Sequence, residues 1–171
     1  MDKIGLLKWL DDLHFQLKEA NHRALVILKG ELPWAAKIEE LNKQWLRNES
    51  SLEKQVFVYS DVDTIDGDCD RKTYGHHLGT ENDVVYFFDT DLNIDALAAL
   101  SGTIRGGGCL FLWLDNKKVN QSSYIQRFVQ KSYQYKNTYV IEQSNMTTGL
   151  LAASFPNIIK RDCKIDKGLV Y

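Results

Sequence analysis

Two apolar runs separated by about 20 residues constrain the fold of this chain more than any other feature. The runs are VVYFF at 84–88 and CLFLWL at 109–114, and an acidic turn, an Ala/Leu-rich segment and three consecutive glycines lie between them. A hairpin needs a much shorter connection, whereas a helical crossover between parallel strands has this length. The segment Leu78–Leu114 therefore predicts a β-α-β unit of a parallel sheet.

The rest of the chain alternates helical and strand patterns around this unit. Apolar residues spaced as on one helix face predict helices over 3–20, about 33–46, 94–104 and 122–133. Short apolar runs predict further strands over 24–28, 56–59 and 138–141, and residues 115–120 read as a polar loop. The alternation predicts an α/β fold of three layers, Rossmann-like or RecA-like, with a mainly parallel sheet of about five strands. We predict one domain over residues 1–150, followed by an irregular segment, 151–171, that leads to modules outside this chain.

Composition indicates an ordinary globular protein. Apolar residues make up 44% and charged residues 26%, and the formal net charge of −2 argues against a uniformly basic nucleic-acid binder. The three cysteines show no CxxC spacing, which favours free thiols in a reducing compartment. Charged residues interrupt the N-terminal apolar positions, and no run approaches the roughly 20 apolar residues that cross a bilayer. We therefore expect a cytoplasmic protein with no membrane contact.

A phosphate-binding loop is missing from the sequence. The pattern G-x-x-x-x-G-K-[ST] occurs nowhere in the chain. Gly106–Gly108 follow a predicted helix and precede a strand, whereas a dinucleotide-binding loop leaves a strand and opens a helix. We interpret these glycines as a left-handed helix cap and a tight turn. No G-x-S-x-G elbow is present and Cys109 lies within an apolar strand, so we predict no catalytic and no cofactor-binding residue.

Asp89 and Asp91 follow directly after a predicted buried strand. Ligand-binding residues of open α/β sheets lie at this position, so one hypothesis is a free-standing nucleotide- or small-molecule-binding protein that uses both carboxylates. The other interpretation makes them turn residues, with Asn93 as the N-cap of the next helix. Because no phosphate loop accompanies them, the second interpretation is favoured.

Two further clusters resemble metal sites without matching one. The loop Asp61–Asp70 carries five aspartates, but its glycine and its twelfth position do not fit a calcium-binding EF-hand loop. His76 and His77 are adjacent, and with Cys69 they show no metal-ligand spacing. We predict a solvated acidic loop and no metal site.

Basic residues with neighbouring aromatic residues form the remaining signal. Side chains of these types pair with RNA phosphates and stack on unpaired bases. The candidates for nucleic-acid contact are Arg23, Lys29, Arg105, Arg127 and Lys131. The alternatives are core aromatics beside solvated lysines, and a domain that only contacts other proteins.

The order of several phrases resembles one known family. HRALVILKG (22–30), HHLGTENDVVYFFDTDLNIDALAALSGTIRGGGCLFLWL (76–114) and SYIQRF (123–128) are similar to the N-terminal domain of the bacterial tRNA(Met) cytidine acetyltransferases, the TmcA family. The similarity is good over residues 20–130, and the shared phrases look structural rather than catalytic.

The resemblance implies the function of a longer enzyme. Members of that family acetylate N4 of the wobble cytidine of tRNA(Met), using acetyl-CoA and the hydrolysis of ATP or GTP. The nucleotide is handled by a helicase-like module and the acetyl group by a GNAT-type module, both C-terminal to the region that this chain resembles. The implied role is therefore an accessory domain, structural and in contact with tRNA, whose partners are those two modules.

Overall fold

A computed structural model describes residues 3–49 and 54–144 of the chain. Helices and strands alternate along it, as the apolar spacing predicts. The elements are α1 (Lys3–Ala20), β1 (Ala24–Lys29), α2 (Leu32–Glu49), β2 (Val56–Ser60), a 3₁₀ helix (Tyr74–His77), β3 (Asn82–Phe88), α3 (Ile94–Ser101), β4 (Ile104–Leu114), α4 (Asn116–Gln121), α5 (Ser123–Ser132) and β5 (Thr138–Glu142).

The strands form one parallel sheet in the order β2-β3-β4-β1-β5. Its central strands are apolar on both sides, which is typical of parallel strands covered by helices on both faces. The predicted α/β class, the parallel sheet and its five strands are confirmed.

Helices cover the two faces of the sheet and define three layers. One face packs against α1 and α2, whose apolar stripes include Leu10, Leu13 and Ile38. The other face packs against α3, α4 and α5 through residues such as Leu100, Val119 and Ile125. The apolar stripes of α1, α2, α3 and α5 are those that the sequence predicts.

The interpretation of the three glycines as a helix cap is wrong. Helix α3 ends at Ser101, and its C-cap is Gly102, which is in the right-handed helical region. Gly106–Gly108 lie inside β4, which begins at Ile104, five residues before the predicted strand. A Cβ on Gly107 would lie 3.1 Å from Cα of Lys18, and the φ of Gly107 is +85°. The absence of side chains lets the end of α1 lie directly on the strand, and glycine tolerates the left-handed backbone.

The predicted polar loop at 115–120 is also wrong, because those residues form α4. Asp115 is its N-cap and accepts a hydrogen bond from the backbone N–H of Lys117 at 2.7 Å. Val119 is the buried residue of this short helix, which is why no apolar periodicity marks it. The predicted boundary at residue 150, the segment 151–171 and Cys163 lie outside the described residues.

Candidate functional site

The carboxyl edge of the sheet, where all strands end, is the usual ligand position of this fold class. The chain leaves β1 towards α2 on one face and leaves β4 towards α4 on the other. Such a divergence opens a crevice at the carboxyl ends of two neighbouring strands, and phosphates bind there at a helix N-terminus.

Side chains of this chain fill that crevice. Only Gly30 and Glu31 join β1 to α2, and the N–H of Glu31 donates to Oε1 of Gln143 at 2.7 Å. The carbonyl of Gly30 accepts a hydrogen bond from the Trp113 indole at 2.9 Å. The backbone N–H of Gly30 donates to the carbonyl of Leu114 at 3.1 Å.

The same connection has no room for a ligand above Gly30. A Cβ placed on Gly30 would lie 2.7 Å from Gln143 and 2.8 Å from the ring of Trp34. Pro33 has no N–H to offer a phosphate, and the charge of Glu31 would repel one. Lys29 next to it is already paired with Glu142 at 3.0 Å. Both N–H groups of the connection are therefore bonded within the chain, and the space that a phosphate loop provides is filled.

Asp89 is buried at the same edge and is engaged by four donors. Its carboxylate accepts from the Tyr59 hydroxyl at 3.0 Å and from the Arg71 guanidinium at 3.5 Å. The backbone N–H groups of Asp91 and Asn93 donate to it at 2.7 and 3.2 Å. A carboxylate has about four lone-pair positions, so these partners leave none for a metal or a ligand.

This arrangement confirms that Asp89 is a turn residue and adds two partners from distant segments. The charges of Asp89 and then Asp61 raise the pKa of Arg71, while burial and then the Asp89 charge raise the pKa of Tyr59. Asn93 caps α3, as predicted, by accepting from the N–H of Ala96 at 3.2 Å.

Asp91 is exposed and pairs with Lys118 of α4 at 2.9 Å. The hydrogen bond and charge of Lys118 lower the pKa of Asp91. The pair fixes the start of α4 to the turn after β3, so Asp91 has a structural partner of its own.

The acidic loop and its neighbours do not assemble a metal site. Asp68 accepts from the N–H of Val58 at 2.7 Å, and Asp70 accepts from Lys72 and Thr73, so both carboxylates fold the loop. His77 packs on Phe57 with 4.8 Å between ring centroids. Within the described ranges, no three His, Cys, Asp or Glu side chains are grouped as metal ligands would be.

The two described cysteines are free and buried. Burial, followed by the nearby charge of Asp68, raises the pKa of Cys69 to about 12. Burial also raises the pKa of Cys109. Since the thiolate is the reactive form, burial and a raised pKa disfavour reaction of either thiol at neutral pH.

The opposite edge of the sheet is open. A groove of about 540 Å³ lies between α3 and α5, above the amino ends of β4, β1 and β5, and we call it the amino-edge groove. Leu25 and Leu110, which are paired across β1 and β4, form part of its floor. Small side chains of α3, Ala98 and Ser101, leave the space unfilled on one side.

Aromatic side chains line the other side and the mouth of the amino-edge groove. Phe128 is half-buried, whereas Tyr124 is 51% exposed and Tyr135 is 70% exposed. Arg23 lies at the mouth as well. The groove thus combines an apolar interior with exposed rings and a cation.

A basic segment borders this groove. Residues 116–141, which we call the basic segment, contain five lysines and arginines and no aspartate or glutamate, although the whole chain has a net charge of −2. Arg127 and Lys131 are exposed on α5, and no described carboxylate lies within 4 Å of either. The segment gives the chain a local positive surface.

The structure divides the five candidate nucleic-acid residues between two places. Arg23, Arg127 and Lys131 lie around the amino-edge groove. Lys29 ends β1 and belongs to the opposite edge of the sheet. Arg105 is near the amino edge but pairs with Asp83 at 3.4 Å and donates to the carbonyl of Glu81. Three of the five candidates therefore share one surface.

Sequence reasoning did not identify Gln143 or Asn137 as important. Gln143 closes the carboxyl edge, and Asn137 donates through its side chain to the carbonyl of Arg23 at 3.2 Å. Each residue flanks β5, and each reaches a residue that flanks β1 only because β5 pairs with β1. A single sequence carries no direct signal for that pairing.

Among residues 3–49 and 54–144, no helix has the length and apolarity that a membrane span requires.

Comparisons with known proteins identify the family of this chain. The comparison with curated proteins gives no significant match. A family model described as tRNA(Met) cytidine acetyltransferase TmcA, N-terminal, matches residues 1–143. The match covers most of the chain and agrees with the resemblance of residues 20–130, so the chain belongs to the family of TmcA N-terminal domains.

Proposed function

We propose that this chain is an accessory domain, without catalytic activity of its own, of a tRNA cytidine acetyltransferase. The parent enzyme would make N4-acetylcytidine at the wobble position of tRNA(Met), in the cytoplasm. Helicase-like and GNAT-type modules that follow in the same polypeptide would use ATP or GTP and acetyl-CoA. Residues 1–150 would form the domain, and 151–171 would lead towards those modules.

The closed connection between β1 and α2 carries this proposal. Nucleotide-binding α/β proteins keep backbone N–H groups free at this place, so that the helix N-terminus faces the phosphates. Here the N–H of Glu31 is bonded to Gln143, and the space above Gly30 holds Gln143 and Trp34. A phosphate would have to displace these contacts and approach the carboxylate of Glu31, which supports a role without nucleotide chemistry.

The buried Asp89 supports the same conclusion. All of its hydrogen-bonding capacity is used within the chain. A magnesium ion bound there would have to replace Tyr59 of β2, or Arg71, whose ion pair with Asp89 ties the loop after β2 to the sheet. This arrangement counts against the alternative of a free-standing nucleotide-binding protein.

Contact with tRNA is the second part of the proposal. The basic segment provides a positive surface that favours a polyanion even though the chain is acidic overall. Arg23, Arg127 and Lys131 are the contact residues that we propose, because they lie on one side of the molecule and are exposed.

The experiment uses the 171-residue chain and three ligands. Calorimetry with Mg-ATP and with acetyl-CoA should give no saturable heat, and ATP hydrolysis should stay at the background of a buffer control. Gel shift with tRNA(Met) at low salt should give a complex that weakens as salt rises. Saturable Mg-ATP binding that is lost in Asp89→Ala would contradict the accessory role, and absence of any tRNA complex at low salt would contradict the tRNA contact.

A further inference from the structure

We propose that the amino-edge groove binds unpaired nucleotides of RNA, with a base in the groove and its phosphates on Arg23, Arg127 and Lys131. This inference rests on the tRNA contact proposed above and adds where, and in which form, the RNA is held. No residue of the closed carboxyl edge takes part in it.

The shape and lining of the groove suit a planar ring. Its volume of about 540 Å³ falls within the range of small-ligand sites, and its floor is apolar at Leu25 and Leu110. A base inside a duplex is already stacked and paired, so only an unpaired nucleotide can enter such a space.

The exposed aromatic residues at the groove favour stacking on a base. Tyr124 and Tyr135 expose 51% and 70% of their surface, although both line the groove. A tyrosine that only completes the core would bury its ring. Every base offers a π-face, so exposed rings beside a cationic surface are the usual means of holding single strands.

Charge complementarity identifies a polyanion as the occupant. On α5, Lys131 is seven residues after Tyr124, so both lie on the helix face that carries Phe128. Arg127 precedes Phe128 in α5 and lies beside this face. Arg23 lies on the other side of the mouth of the groove. The basic side chains are thus arranged on both sides of the groove. The phosphates before and after an inserted nucleotide base would lie at these positions.

An acidic protein segment is the competing occupant. It would satisfy the charges of Arg127 and Lys131, but it offers no ring to the exposed tyrosines. RNA uses both features, and we therefore favour it.

The test measures binding of a fluorescent oligouridylate to the full 171-residue chain by anisotropy, beside the same RNA annealed to its complement. Tyr124→Ala and Tyr135→Ala should each raise Kd by at least about fivefold, the lower limit for loss of one stacked base. Tyr133→Ala is the matched control, since Tyr133 is 59% exposed and does not line the groove. Its Kd should stay within about twofold of wild type.

The charge variants form a second matched pair. Arg127→Glu should weaken binding and lower the slope of log Kd against log salt by at least about 0.7, the value for one phosphate contact of a single strand. Arg47→Glu makes the same charge change on α2, in the opposite layer of the fold. It should weaken binding and lower the slope less than Arg127→Glu does. All five substituted side chains are exposed, so the melting temperatures should remain those of wild type.

Three results would overturn the inference. Equal losses in the groove variants and their controls would remove the groove as the site. Duplex RNA binding as tightly as the single strand would refute an inserted base. An acidic peptide that displaces the RNA and loses affinity in Tyr124→Ala would assign the groove to a protein partner.

The tRNA gel shift separates this inference from the proposed function. A wild-type complex with tRNA(Met) that is unchanged in Tyr124→Ala, Tyr135→Ala and Arg127→Glu would refute the groove and leave the tRNA contact standing. Absence of any complex would refute both.

Discussion

Replacing Gly108 by alanine tests why three glycines lie inside a central strand. A Cβ at Gly108 would collide with the backbone carbonyl of Asp83 and lie 2.8 Å from Cγ2 of Ile104. The carbonyl belongs to the backbone of β3, at the register shift between Asn82 and Val84, and cannot rotate away as a side chain would. Overpacking of this kind costs about 1–3 kcal/mol, and the lower entropy of the unfolded alanine chain offsets less than about 1 kcal/mol of it.

We expect the free energy of unfolding of Gly108→Ala to fall by about 2 kcal/mol, and Tm by about 4–8 °C for a chain of this size. Urea denaturation followed by circular dichroism measures the change. Gly75→Ala is the matched control, because no atom lies within 4 Å of its added Cβ and its φ is not in the left-handed region. It should be neutral or slightly stabilising. If Gly108→Ala is as stable as Gly75→Ala, the close-approach explanation for the glycines is refuted.

Three further substitutions test polar side chains that contribute to stability. Burial, and then the charge of Lys54, lowers the pKa of His14 to about 4, so the unfolded chain takes up a proton at a higher pH than the folded chain. The difference in unfolding free energy between wild type and His14→Phe should therefore be constant above pH 6.5. As the pH falls to 4, wild type should lose up to about 3 kcal/mol relative to His14→Phe, and urea titrations at each pH measure this change. Asp89→Asn should lose about 3 kcal/mol in the same assay at pH 7, because all four partners of Asp89 are donors and an amide must turn its own N–H groups towards two of them. Asn93→Ala should lose about 1 kcal/mol through loss of the α3 N-cap, and retention of full stability would exclude that cap as a contributor.

The fold could be predicted to the extent that local patterns determine it. Apolar runs marked all five strands and helical spacing marked α1, α2, α3 and α5, because burial of one face or both faces leaves a periodic trace in the sequence. Helix α4 leaves no such trace, since it buries little besides Val119. The N-cap Asp115 was its local signal, and that signal is too common in turns to identify a helix alone.

The glycines were misread because their cause lies outside the strand. Three consecutive glycines have low strand propensity and resemble a turn. In the structure, Gly106 and Gly107 lie against the end of α1, next to Asn21 and Lys18. Contacts between segments about 90 residues apart decide the conformation here, and local propensity cannot report them.

The candidate site was only partly accessible to sequence reasoning. Lys29 and Arg23 flank the predicted strand over 24–28, and a six-residue strand separates its ends by about 20 Å, so the sequence already indicates that these two candidates lie apart. Asp89 could be identified as a turn residue from the sequence. Its ion pair with Arg71 could not, because the irregular loop between β2 and β3 brings Arg71 back to the sheet.

The backbone of β4 at Gly107 also holds one side of the amino-edge groove. The N–H of Gly107 donates to the carbonyl of His22 at 2.9 Å, and the N–H of Leu25 donates to the carbonyl of Asn137 at 2.9 Å. Arg23 lies between these two anchors, and its own carbonyl accepts from the Asn137 side chain. The backbone that presents Arg23 is thus held by β4 on one side and by the segment before β5 on the other. A side chain at Gly107 would press on the end of α1 and move this backbone. We therefore expect Gly107→Ala to bind RNA more weakly than wild type even when Kd is calculated for the folded fraction of each protein. Equal affinity of the two folded fractions would contradict a connection between the glycine-containing strand and the groove.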